Sequence, residues 1–411
     1  MSTSILTTTN QMNHVAGMDK HLTSNPQTSL FTNAYARISP LSKHTSNISF
    51  NEKVKFGKTI TATIPVFGDV LSSMYFYVKL PPLPLAPGSK FTGWTNCVGY
   101  AMIDYVELRI NECVIVRKSG REMETRDYLE TNADKTIANY KATGKYDTVE
   151  VVTINAGAPQ DLYIPLQFWF TKELRDSLPL FILGGGQPVK IVIGLKTFED
   201  CITFDGPTVP TEQVILDSGL VVDYYILSKL EKDTYKLVDS DEYAPLSLLI
   251  EQNQEIMYEI PHGLSTNKFS MDFINPVKDI VVVIAETESE KNNDHFNYGR
   301  RSLFPGGEFL THVTLLFEGK TRFEKLPESY YRLILPQRHY SFAGNRNIYT
   351  LPFAQYPEKM QPTGSVNFST YDHVDLSLDF VSGLPQLRLY AFAKSYNMLT
   401  ISPQAVQLEY M

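Results

Sequence analysis

Long apolar runs are missing from this chain. No stretch of its 411 residues reaches the ~18 consecutive apolar residues that a membrane-spanning helix needs. An excess of basic residues is missing too. The net charge is −8, whereas a protein that grips nucleic acid directly is more often basic. Cysteine is scarce: Cys97, Cys113 and Cys201 are odd in number and lack zinc-type spacing. They read as small buried hydrophobes in a reduced compartment, with one disulfide as the alternative. The opening MSTSILTTTNQMNHVAGMDK has no basic-then-apolar leader, so the expected setting is cytosol-like.

What is abundant points to β structure. Aromatics reach 12%, with 24 Tyr and 23 Phe, and 24 Pro and 23 Gly accompany them. That combination suits short strands joined by many turns. The length suits two or three domains at ~100–200 residues each. Residues 1–27 are rich in Thr, Ser and Asn and read as a flexible arm that orders on a partner. A strand-rich block over 28–230 follows, then a connecting segment over 231–249, then a second strand-rich block over 250–411.

Within the first block, Lys58 to Ile64 and Met74 to Leu80 read as strands, the latter stopped by Pro81, Pro82, Pro84 and Pro87. Gly120 to Gly144 turns charged and helix-compatible and reads as a loop excursion with a short helix. Leu162 to Leu183 reads as strand again, with Phe168 and Phe170 facing one way and Trp169 the other. In the second block, Ile348, Tyr349 and Leu351 favour β structure. Pro362-Thr363-Gly364 is a turn signal, and Val366 to Ser369 and then Val374 to Leu378 alternate with the period of a half-buried strand. The polar stretches Gly120 to Gly144 and Glu286 to Gly307 read as insertions between strands, at least one of which is expected to project outward.

Several motifs resemble, in order, those of the double jelly-roll major capsid proteins of nucleocytoplasmic large DNA viruses. The longest is Ile348, Tyr349, Phe353, Ala354, then Pro357, Glu358, then Gln361, Pro362, Thr363, Gly364, then Asn367, Phe368, Ser369. Thr363 stands where that family has Ser. Upstream are Trp94, Val98, Gly99 and Ile103; Pro165, Leu166, Phe168, Trp169, Phe170 with Leu178, Pro179, Leu180; and Val222, Asp223, Tyr224. Asn275-Pro276-Val277-Lys278-Asp279-Ile280 departs at Asn275, where the family has His. The resemblance implies an all-β fold of two consecutive eight-stranded jelly-roll β-sandwich domains with short helical loop excursions. It implies a viral major capsid protein: a homotrimeric, pseudo-hexagonal capsomer that tiles an icosahedral shell in the virion. Assembly in the cytoplasm, contacts with minor capsid and penton proteins, and an inner membrane beneath the shell follow from the same likeness. No direct contact with nucleic acid is expected.

Little in the sequence argues for chemistry. Ala142-Thr143-Gly144-Lys145 resembles the end of a phosphate loop but lacks the earlier Gly, and Tyr146 replaces the magnesium-binding Ser or Thr. Asp239, Asp241 and Glu242 could ligate a metal but read better as a solvated linker. His312, His339 and His373 form no His-x-His pair of the kind cupin enzymes use. Asn47-Ile48-Ser49 and Asn367-Phe368-Ser369 match the glycosylation pattern, with Asn367 read as a turn residue. The expectation is no enzyme, no catalytic, cofactor or metal residue and no cofactor. A carbohydrate-binding or cupin-like jelly roll is the alternative.

Overall fold

In the computed structural model, residues 39–411 are described apart from 86–87, 147–156, 184–185, 239, 300–306, 345 and 411; before them only Met18, Lys20, His21, Ser24 and Asn25 are described. The arm expected over residues 1–27 therefore lies almost wholly outside the described residues, as does Asp239. The chain separates into a unit ending at Pro40 and a unit spanning Leu41–Met411. All the sheets among the described residues lie in the second unit.

Its principal strands come in two sets. The first is β1 (Leu41–Ile48), β2 (Thr59–Ile64), β3 (Val70–Leu80), β4 (Ile103–Ile110), β5 (Cys113–Ser119), β6 (Gln160–Pro165), β7 (Val189–Leu195) and β8 (Asp217–Leu227). The second is β9 (Leu246–Ile260), β10 (Thr266–Ser270), β11 (Pro276–Glu286), β12 (Leu310–Phe317), β13 (Lys320–Pro327), β14 (Ile348–Pro352), β15 (Val374–Phe380) and β16 (Leu387–Ile401). They build sheets in the order β1-β8-β3-β6 and β2-β7-β4-β5, then β9-β16-β11-β14 and β10-β15-β12-β13. Adding eight to each label in the first set gives the second set. Every named pairing is antiparallel, and each half is two sheets face to face, which is jelly-roll topology.

The core follows the alternation. In β2, Ile60, Ala62 and Ile64 are buried between exposed or half-buried threonines. In β15, Val374, Leu376, Leu378 and Phe380 are buried in the same way. β11 breaks the rule: after Pro276 every residue to Glu286 is buried, on both faces. Something therefore covers the outer face of the second jelly roll's β9-β16-β11-β14 sheet.

The structure corrects several expectations. β6 stops at Pro165, whose ring nitrogen has no hydrogen to give the ladder. Phe168, Trp169 and Phe170 are not strand residues. Trp169–Thr171 is a single 3₁₀ turn, and all three rings are buried. Phe168 stacks on Phe170 at 5.4 Å, and Trp169 meets Phe170 edge-on at 5.2 Å. Leu180–Leu183 is helical rather than extended. Val366–Asn367 is a two-residue strand, followed by a 3₁₀ turn at Phe368–Thr370 that the Asn367 side chain caps. Cys113 is exposed, while Cys97 and Cys201 are buried; all three are free thiols. The excursion after β5 does hold helices, α1 (Gly120–Glu130) and α2 (Thr136–Thr143), but α1 is not a projecting loop. Glu122, Met123, Glu124, Thr125, Arg126 and Leu129 are buried.

Candidate functional site

Helix α1 is part of what covers the second sheet: Leu129 packs there on Val281, Val283 and Phe392 together with Tyr298 and Tyr340. Ser119 starts it: the hydroxyl accepts from the Glu122 amide at 3.1 Å, and Glu122 lies in the first turn. Gly120 is required because a Cβ there would lie 2.3 Å from the Tyr100 carbonyl oxygen and 2.4 Å from that of Ile103. The backbone of the first jelly roll thus holds the helix root tightly.

From that root the helix sends charges across to the second jelly roll. Arg126 forks onto Asp279 of β11, with Nη2 at 2.9 Å from Oδ1 and Nη1 on Oδ2. The Tyr340 hydroxyl donates to the same carboxylate at 2.5 Å. Glu124 takes Arg346 through both oxygens, at 2.6 and 3.1 Å, and Lys145 at 3.1 Å. Glu130 takes Lys394 of β16 at 2.6 Å and Lys172 at 3.5 Å. Arg121 pairs with Glu290 at 2.5 Å. Beside them Lys278 binds Glu251 and donates to the Lys359 carbonyl at 2.7 Å, and Lys172 reaches Glu251 at 3.1 Å.

The electrostatics fit a largely buried seam. Burial alone would raise the Glu251 carboxyl, yet Lys172, Lys394 and Lys278 hold it down to about 2. The same contest, won by Lys172 and Lys394, keeps Glu130 far below the carboxylate range. Burial pushes Lys394 down to about 8 and lifts Glu122 to about 7. A buried ion pair contributes little net stability against a well-packed apolar replacement, but removing one partner strands a charge. The seam therefore specifies one docking geometry more than it supplies affinity.

A short segment adds a second clasp. The Asn293 side chain donates to the carbonyls of Glu199 at 2.6 Å and Ile202 at 2.8 Å. His295 Nε2 lies 2.8 Å from the Asp200 carbonyl oxygen, so that nitrogen carries the proton. Burial, with Lys196 close by, pushes the imidazole pKa down to about 4.

The residues weighed for chemistry are not brought together. His312 sits on β12. His339 Nδ1 lies 3.0 Å from the Gln355 carbonyl oxygen, and the His373 amide donates to Glu318. Among the described residues no three His, Cys, Asp or Glu side chains are placed to hold a metal. Gly144 closes α2 at φ +72°, a C-terminal cap, and Lys145 is spent on Glu124; a phosphate loop would open a helix instead. Asp241 pairs with Lys236 at 3.0 Å. The seam residues escaped the sequence reading because charged positions on a helix usually face water. The one available signal was Lys278-Asp279 inside an otherwise apolar strand.

The comparisons agree with this architecture. A model described as "Major capsid protein N-terminus" matches residues 29–223, and one described as "Large eukaryotic DNA virus major capsid protein" matches residues 243–404. The major capsid protein of Phaeocystis pouchetii virus is 24% identical, across 93% of this chain and 95% of its own length. That of Paramecium bursaria Chlorella virus 1 is also 24% identical, across 88% and 84%. Among solved structures, a chain of a quasi-atomic model of the PBCV-1 virus capsid superposes with a TM-score of 0.78 at 20% identity, covering 93% of this chain and 100% of that one. The Faustovirus major capsid protein superposes at 0.75 with 13% identity, covering 97% of each.

Proposed function

The chain belongs to the double jelly-roll major capsid proteins of large eukaryotic DNA viruses, and from that premise we propose that it works by assembly alone, as a homotrimer whose six jelly rolls form a near-hexagonal tile. One observation carries this reading. Tyr75 on β3 and Asp279 on β11 are equivalent positions, each opposite the proline that ends the neighbouring strand, Pro165 or Pro352. Asp279 is 0% exposed beneath α1, whereas Tyr75 is 40% exposed, with Tyr163 beside it at 44%. The second jelly roll also carries a helical segment between its β13 and β14, Tyr330–Ile334 running into Leu335–His339. Its Leu333 and Ile334 are exposed at 37% and 42%.

The geometry inside one chain supplies the template for the contact between chains. The helix of the first jelly roll covers the second sheet; the helix of the second would cover the first sheet of the next chain. Such a head-to-tail step makes a closed ring when the rotation closes. Three chains of two jelly rolls close it with six alike contacts, and tiles of that outline cover the flat facets of an icosahedral shell.

The test is Leu333→Asp with Ile334→Asp, read by light scattering and native mass spectrometry. A folded monomer in place of a trimer supports the reading. An unchanged trimer would sink this interface, and a wild-type protein that stays monomeric at capsid-like concentrations would sink the tile. Residues 1–27 join the proposal as an arm that contacts neighbouring tiles, minor capsid proteins or an inner membrane, with assembly in the host cytoplasm. No catalytic step is part of this function.

A further inference from the structure

Along the seam between the jelly rolls, a cleft of about 290 Å³ gathers cations. Its walls come from both halves: Arg121 at the root of α1 and Lys196 just after β7 on one side, and Thr287, Lys291 and Arg388 on the other. We propose that this cleft is a binding site for a small phosphate-class oxyanion that bridges the two jelly rolls.

Four cationic side chains line it against one carboxylate, Glu290. That carboxylate is fully engaged. Its Oε1 takes Arg121 at 2.5 Å and the Tyr390 hydroxyl at 2.7 Å; its Oε2 takes Arg388 Nη1 at 3.0 Å. Glu259 takes the other Arg388 terminus at 3.1 Å. Neither lysine has such a partner: among the described residues, no carboxylate lies within ion-pair distance of Lys196 or Lys291. Asp104, Asp200 and Glu255 act on this corner only through space. His295 also lines the cleft and is neutral near pH 7, since burial pushes its pKa down to about 4.

Two buried polar groups in the wall are also unsatisfied. Among the described residues the Thr287 hydroxyl, in a residue only 8% exposed, has no hydrogen-bond partner, and neither has Arg388 Nε. Buried donors are ordinarily paired, and leaving one unpaired is costly. Guanidinium, ammonium and hydroxyl donors converging on one cleft suit an acceptor-only ligand with several oxygens and more than one negative charge. The volume sits at the small end of ligand pockets, near ~300 Å³, which suits phosphate or pyrophosphate over a nucleotide. A ligand held from both sides binds only the docked arrangement and so raises its stability by mass action.

The test uses the purified full-length protein with sodium phosphate and sodium pyrophosphate as probes, against sodium chloride at equal ionic strength. Expected are a saturable rise of several degrees in melting temperature with either phosphate probe, and one site per chain by calorimetric titration. In Lys196→Gln/Lys291→Gln the dissociation constant should weaken at least tenfold. Because neither lysine is paired, this variant should melt no lower than wild type in chloride. Thr287→Val is the second variant should it melt lower, and it should weaken binding without touching a charge. No phosphate-specific rise in the wild-type protein, or affinity unchanged in the variants, overturns the site.

Discussion

At the scale of single residues, Asp279 is the most exposed to test. It lies fully buried in β11, forked by Arg126 and capped by Tyr340. Asp279→Leu would leave the guanidinium of Arg126 buried and unpaired, a change that typically costs ~3–5 kcal/mol. Arg126→Met together with Asp279→Leu should recover much of that loss, because both charges are then gone. Denaturant unfolding of the two variants checks it; equal losses in both would show that packing, not the stranded charge, sets the cost. His295 makes the pH prediction. Its folded-state pKa, about 4, lies below the ordinary value of 6.5. The unfolded chain therefore binds the extra proton first, and stability rises with pH across this window. The contribution is complete above about pH 6.5 and disappears as pH falls toward 4, amounting to about 3 kcal/mol at ~1.4 kcal/mol per unit. Glu122 and Asp127 have the opposite sign, since burial raises them to about 7 and about 6. The measurement is thus the difference between wild type and His295→Asn, followed from pH 7.5 to 4. A difference that stays flat across that range would contradict the assignment.

At the scale of elements, α1 behaves as the key of the molecule, and its root is its weak point. Gly120→Ala would drive a methyl group into the carbonyl oxygens of Tyr100 and Ile103. Backbone atoms cannot yield as a side-chain tip can, so the helix must shift and carry Arg126 and Glu130 off their partners. The expected result is a loss well above the ~1 kcal/mol that Ser119→Ala would cost by removing the cap alone. Protease digestion should then cut α1 early in Gly120→Ala and not in Ser119→Ala; equal resistance in both would count against the lock. The aromatic turn after β6 is a second such element. Phe168→Ala should cost ~3–5 kcal/mol as a buried ring, although the residue lies in an irregular turn. A run of three aromatics shows no alternation, so the sequence alone does not tell this turn from a strand.

At the scale of the whole molecule, the sheet orders repeat with an offset of eight strands, yet the two outer faces differ in exposure. This asymmetry is the strongest physical reason to expect partners of the same kind. In the proposed trimer, the exposed Tyr75 and Tyr163 on one sheet, where the other sheet is covered, are the expected contact surface. Deleting residues 1–27 tests the arm separately. Trimers should persist, since every described strand begins at or after Leu41, while shells should fail to build or should break easily. Loss of the trimer itself would place the arm within the fold, and normal shells would leave it without an assembly role.

Much of this was legible in order along the chain. Strand alternation at Thr59–Ile64 and Val374–Phe380 marks β structure because a half-buried sheet imposes period two on any sequence that forms it. The motif run from Ile348 to Ser369 and its upstream companions carry the family likeness, since they keep the residues that end strands and turn the chain. Charge and composition set the broad class. The seam was decided only by the tertiary structure. Glu124, Arg126 and Glu130 read as the solvated face of a surface helix, and no local pattern distinguishes a charge that meets water from one that meets an opposite charge more than a hundred residues away. Their pairing depends on where the second sheet lies relative to the first. That position is fixed by the packing of both jelly rolls at once and is written in no single segment.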